Sequence, residues 1–264
     1  MRYDKKNRIV YYKDEFNDDF GEIGLERPKL KEDYVFERKG AVKRFFATVF
    51  YYGLALPILW LVGKCTVSVK VKNRKVLKEL KHKGYIIYGN HTHWVDAWTA
   101  QVFVARPKRT NILGYSDALS IPVAKGLVKG IGLLPVENNR ESLTKLTNAI
   151  THYINKKECI SIFPEAHVWP YYNGIRQFKI GSFFYPTVSK CPIVAMCTIW
   201  RKVWYSKKPK MTIYVSQPKY YDESLDQKAN IDAYHDYVYE FFVKTHLEHP
   251  SVEYIKYIKE EDKA

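Results

Sequence analysis

Nineteen consecutive residues, Phe45 to Gly63 (FFATVFYYGLALPILWLVG), carry no charge in a chain of which 27% is Asp, Glu, Lys or Arg. Such a run must be sheltered from water by protein or by lipid. As a helix it would measure about 28 Å, close to the roughly 30 Å of a bilayer's hydrocarbon. Three features argue against a straight crossing. Pro57 breaks or kinks a helix, Gly53 weakens it, and Tyr51, Tyr52 and Trp60 prefer the headgroup zone. Lys43-Arg44 precede the run and Lys64 follows it, so neither flank is marked as the outer one. The expectation is a bent helical hairpin dipping into one leaflet. A full crossing and a buried core helix are the alternatives.

Charge adds a second constraint. The 264 residues carry a net +15, and its distribution is uneven: residues 1–44 hold +2, residues 45–220 hold +19, and residues 221–264 hold −6. A middle segment this basic attracts polyanions, whether phospholipid surfaces, phosphorylated metabolites, acidic proteins or nucleic acid. Hydrophobic residues at 46% are enough for a core, which excludes wholesale disorder. Cys65, Cys159, Cys191 and Cys197 show no Cys-x-x-Cys spacing, and a reduced, intracellular protein is the simplest expectation. The charged start, Met1-Arg-Tyr-Asp-Lys-Lys, has no apolar run within thirty residues and does not read as a signal peptide.

From Thr66 onward the hydrophobic period alternates between strand and helix. Strands are expected over Thr66–Val71, Tyr85–Tyr88, Asn111–Tyr115, Leu133–Val136, Cys159–Phe163, Ile193–Ile199 and Met211–Val215. Helices are expected over Asn73–His82, Val95–Val104, Ile121–Lys129, Glu141–Asn155 and Ile231–His246. This order predicts an α/β fold with a mostly parallel sheet covered by helices on both faces. The chain divides into an arm (1–33), a membrane-associated helical segment (34–63), an α/β domain (64–249) and an acidic tail (250–264). In such folds the active site lies at the carboxyl ends of the strands.

The strand Tyr85–Tyr88 runs into Gly89-Asn90-His91-Thr92-His93-Trp94-Val95-Asp96. On one unbroken helix His91 and Asp96 would point roughly 140° apart. With His91 in the loop and Asp96 in the first helical turn, the carboxylate folds back toward the imidazole. Asp96 then orients one ring nitrogen while the other takes a proton from a substrate hydroxyl. A second strand ends in Phe163-Pro164-Glu165, and Phe178-Lys179-Ile180-Gly181 and Pro192-Ile193-Val194 follow.

These four blocks, in this order, resemble the PlsC-type glycerolipid acyltransferases, typified by the 1-acyl-glycerol-3-phosphate acyltransferases. The resemblance spans roughly residues 35–220. It implies acyl transfer from acyl-carrier protein or coenzyme A thioester to a lysolipid hydroxyl, with phosphatidate the expected product. His91 is then the base and Asp96 its orienter, the two forming a catalytic dyad. No metal or cofactor beyond the thioester co-substrate is implied, and no nucleophile elbow is present. Glu165, His167, Arg176, Lys179 and Arg140 are the expected acceptor-binding residues. Two positions depart from the family pattern. Its third block reads Phe-Pro-Glu-Gly-Thr-Arg where this chain has Phe163-Pro-Glu-Ala-His-Val168, and Glu137 stands where the second block usually has arginine. Bidentate phosphate binding favours a guanidinium, so an acceptor lacking a phosphate monoester is the alternative.

Rival classes are a zinc hydrolase built on His91, His93 and Asp96, a nucleic-acid-binding module, and a membrane scaffold without catalysis. The charge and the apolar run favour a monotopic or peripheral protein on the cytoplasmic face of the cell membrane, bound to phospholipid and not to nucleic acid.

Overall fold

A computed structural model describes residues 2–21, 30, 34–37, 40–116 and 130–260. The helix expected over Ile121–Lys129 lies outside the described residues. The frame is a seven-stranded sheet in the order β3-β9-β8-β4-β7-β5-β6. Its strands are β3 (Lys70–Lys72), β4 (Tyr85–Gly89), β5 (Thr110–Tyr115), β6 (Leu133–Val136), β7 (Cys159–Ile162), β8 (Ile193–Val203) and β9 (Ser206–Val215). All neighbours in it pair in parallel except β8 and β9, which form an antiparallel hairpin.

Near-continuous apolar strands follow from burial on both faces. Alternate residues enter different layers, as the pleat requires. Tyr85, Ile87, Cys159 and Val194 pack on one side, and Ile86, Tyr88, Ile160, Ile193 and Ala195 on the other. Helices α4 (Arg140–Asn155) and α5 (Gln227–Glu248) cover the second layer through Leu146, Ile150, Tyr234, Val238 and Phe242.

The apolar run covers the first layer, and its shape corrects the expected hairpin. Helix α1 (Ala41–Phe50), a π-helical turn (Tyr51–Ala55) and α2 (Leu56–Val67) continue into one another, with right-handed helical angles at every junction. Pro57 does not break the helix because the clash it causes falls on the carbonyl four residues earlier. That residue, Gly53, lies in the widened π turn, where the ladder is already shifted. Helix α2 also overruns the strand expected from Thr66, leaving only Lys70–Lys72 as β3. Tyr51, Ala55, Leu56, Leu59, Gly63 and Val67 form its buried face. Gly63 is required by close approach, since a Cβ there would lie 2.8 Å from the Phe103 ring. Phe45, Phe46, Val49, Leu54, Ile58 and Leu61 remain exposed.

The N-terminal arm docks on the body. Strands β1 (Arg2–Asp4) and β2 (Ile9–Tyr12) join β10 (Lys256–Lys259) from the acidic tail in a separate three-stranded sheet. Tyr257 of that sheet stacks on Trp169 at 4.9 Å between ring centroids, which ties both termini to the loop after β7.

Candidate active site

The carboxyl ends of β4 and β7 lie side by side, and the loops leaving them meet. After β4 the chain turns into the short helix α3 (Asp96–Thr99), with Asp96 as its first residue. The fold-back of this carboxylate is as expected from the sequence. Asp96 Oδ2 accepts the backbone N–H groups of Thr92 and His93, both at 2.7 Å, and faces His91 Nδ1 at 3.4 Å. The two short bonds tie the loop into its turn, and the longer contact orients the ring. Phe163 stacks under the imidazole at 4.4 Å and 22°. The His91 side chain keeps 15% of its surface exposed. Its Nε2 makes no hydrogen bond among the described residues, so the ring presents one nitrogen to the acid and the other outward.

Neighbouring residues hold this loop rather than act in it. The Asn90 side chain bonds both the N–H and the C=O of Thr198, fastening the loop to β8. Thr92 Oγ1 accepts the Trp200 indole N–H at 3.1 Å. His93 is buried among Trp94, Tyr171 and Trp200, and its Nδ1 accepts the Val95 N–H at 3.2 Å. Burial pushes the His93 pKa down, despite the pull of Asp96. With Nδ1 occupied and the ring enclosed, His93 is a packing residue. No cluster of three or more His, Cys, Asp or Glu suited to a metal occurs among the described residues.

The second loop places the expected acceptor-binding residues differently from the sequence reading. Glu165 is buried, and its Oε2 accepts the His91 backbone N–H at 3.0 Å and Arg176 Nη2 at 2.8 Å. Arg176 is buried as well, with its guanidinium over the Trp169 ring at 5.0 Å and a further bond to the His167 carbonyl. These two therefore hold the floor of the site, and Arg176 does not offer a phosphate its fork. The reason is charge compensation: a buried carboxylate needs a partner, and Arg176 supplies it. Ala166 between them adopts φ +65°, the left-handed region that glycine enters without penalty.

His167 faces the N-terminal arm. Its Nδ1 lies 3.2 Å from Asp19 Oδ2, and Lys179 Nζ approaches Nε2 at 3.5 Å while sitting over the Phe16 ring. Burial raises the Asp19 pKa, but the bonds from His167 and the Gly21 and Val168 N–H groups outweigh it, and the carboxyl is held below its usual range. The sequence offered no signal for Asp19, which is 148 residues from its partner. Arg140 is exposed in the first turn of α4, beside β6. Strand order puts β6 three positions from β4, roughly 14 Å across the sheet. Glu137 at the end of β6 bonds the Leu30 N–H and the Asn139 side chain, on the wall of a cavity of about 210 Å³. Of the five expected acceptor ligands, Glu165 bonds the His91 loop from beneath, His167 is buried between Asp19 and Lys179, and Lys179 is half-buried.

Two loops at adjacent strand ends, one carrying a His–Asp pair and the other a buried glutamate, can abstract a proton from a hydroxyl. The acyltransferase family profile matches residues 68–199, half of the chain, and takes in both loops. The chain belongs to this family. The acyltransferase is similar in structure to the 1-acyl-sn-glycerophosphate acyltransferase PlsC from Thermotoga maritima, with a TM-score of 0.50 over 75% of this chain and 92% of that one. The two are 15% identical, so this likeness speaks for a common fold. No curated protein matches by sequence. The protein is an acyltransferase with a mixed α/β fold about a mostly parallel sheet.

Proposed function

We propose that the acyltransferase moves an acyl chain from an acyl-carrier-protein or coenzyme A thioester to the hydroxyl of a lysoglycerolipid, at the cytoplasmic face of a membrane. The observation that carries this reading is the His91–Asp96 pair at the mouth of the β4 loop, with Nε2 directed away from the acid. In this mechanism His91 Nε2 removes the acceptor's hydroxyl proton as the oxygen attacks the thioester carbonyl. The new C–O bond forms, the C–S bond breaks, and the leaving thiolate takes the proton back from the imidazolium. Asp96 holds the ring's tautomer and stabilises its charge, while Glu165 fixes the backbone that presents the ring. The exposed apolar face of α1 and α2 supports a membrane seat, since the 24-residue helix Arg44–Val67 is long and apolar enough to cross a bilayer and only 22% of its most apolar window is buried.

The preferred acceptor is 1-acyl-sn-glycerol-3-phosphate. A lysolipid without a phosphate monoester is the second reading, favoured by the burial of Arg176 against Glu165 and by Val168 and Glu137 in place of arginines. The test is a thioester assay with both acceptors and both donors. His91→Ala is expected to lower kcat by about 10²–10⁴-fold with its thermal unfolding unchanged. Turnover near that of the parent would remove His91 from the chemistry. Faster turnover of the acceptor lacking the monoester would select the second reading.

A further inference from the structure

The β8–β9 hairpin is longer than the sheet needs. Trp200 on β8 is level with the active-site loop, since its indole bonds Thr92. The strand then runs on to Val203 before turning back at Ser206, so the turn stands about four residues, roughly 13 Å, beyond that loop. At its tip Trp204 is 96% exposed and Tyr205 is 55% exposed. The two rings meet edge to face at 5.6 Å and touch no other aromatic ring among the described residues. A single exposed apolar side chain needs no explanation. Two adjacent aromatics at the summit of a projecting ribbon are a different case, because folding leaves their surface in water without any packing return.

The flanks of the hairpin identify the chemistry of its partner. Lys202, Lys207 and Lys208 are exposed immediately behind the aromatic tip. Residues 166–221 contain nine Lys or Arg and no Asp or Glu, so no acid within this segment neutralises them. An amphipathic ring at the tip with ammonium groups one step behind it matches the headgroup zone of an anionic bilayer, where Trp and Tyr partition and lysines meet lipid phosphate. Trp94, on the His91 loop, is 54% exposed at the same end of the sheet. Helix α2 is fastened to the hairpin there by Lys210, whose Nζ donates to the Thr66 carbonyl. We infer that the β8–β9 tip is a second membrane anchor, inserting Trp204 and Tyr205 at the interface of an anionic leaflet so that the mouth of the His91 loop faces lipid. This extends the proposed membrane seat from one helix to two separated points, which fixes the orientation of the site and not only its proximity.

The experiment uses the full chain with vesicles of phosphatidylcholine alone and of phosphatidylcholine with phosphatidylglycerol, read beside turnover with acyl-carrier-protein thioester. Trp204→Ser with Tyr205→Ser is expected to weaken binding to both vesicle types several-fold. Replacing Lys202, Lys207 and Lys208 by Gln should weaken binding to the anionic vesicles alone, by about fivefold per lysine. Brominated lipids should quench a component of the fluorescence that Trp204→Phe removes. Unchanged partitioning in both variants, or no bromine-sensitive Trp204 signal, overturns the anchor. So does a loss confined to kinetics with acyl-carrier protein, which would make the hairpin a docking site for an acidic protein. Hairpin-dependent vesicle binding by a chain that acylates no lysolipid would leave the anchor standing and remove the function proposed above.

Discussion

Glu165 sits at the junction of both loops, and its environment determines its role. One carboxylate oxygen holds the His91 N–H and the Arg176 guanidinium together in a buried setting. Removing one member of such a pair leaves the other's charge uncompensated, a loss of about 3–5 kcal/mol, whereas replacing both with apolar groups is often close to neutral. Glu165→Gln is therefore expected to lower the stability read by urea unfolding by roughly that amount. Adding Arg176→Met to it should restore most of the loss. Activity should follow a separate course, because the double variant still lacks the carboxylate that fixes the His91 backbone. Recovery of stability without recovery of kcat would mark Glu165 as a positioning residue. Full recovery of both would remove it from the site. Of this arrangement, the sequence disclosed the carboxylate at a strand end but not the partner, since nothing local distinguishes Arg176 from a solvated arginine.

At the level of elements, the helix running from Ala41 to Val67 has two unlike faces. Tyr51 anchors the inner one, exchanging hydrogen bonds with the Thr110 backbone as β5 begins. The outer face offers Phe46, Leu54, Ile58 and Leu61 to the surroundings. Changing Leu54 and Leu61 to Asp is expected to leave the thermal midpoint within a few degrees, because neither side chain packs in the core. The same changes should weaken co-sedimentation with vesicles strongly, leaving what the β8–β9 tip supplies, as a charge in hydrocarbon costs about 2.5–3.5 kcal/mol. A large drop in thermal midpoint would instead mean that this face is covered by protein. The apolar run and its interfacial aromatics were legible in the sequence. Its continuity was not, because a proline's effect depends on whether the preceding turn is α or π, which neighbouring packing decides.

For the whole molecule, the buried His93 and the half-buried His246 set a dependence on pH. Burial lowers the pKa of His93, with Asp96 opposing and His91 and Lys208 reinforcing, and burial likewise lowers that of His246, with its bond to the Phe242 carbonyl opposing. In the unfolded chain both titrate near 6.5. Below about that pH the unfolded state binds protons that the folded state refuses, so stability falls as the solution is acidified. Urea midpoints are expected to be flat between about pH 7.5 and 8 and to decline from about pH 6.5 downward. His246→Leu should flatten part of that slope. A midpoint that rises on acidification would contradict the assignment of neutral rings.

The order of strands β3 to β9, the position of His91 and Asp96 across one strand-to-helix turn, and the basic character of the middle segment all follow from the sequence, because periodicity and short spacing act over a few residues. The rest depended on segments far apart in the chain being brought together. Asp19 meets His167 and Glu165 is neutralised by Arg176 only once the arm and the β7 loop have closed over the sheet. Burial is a property of the assembled layers, and it turned one expected phosphate ligand into an internal counter-ion while leaving Trp204 in the open.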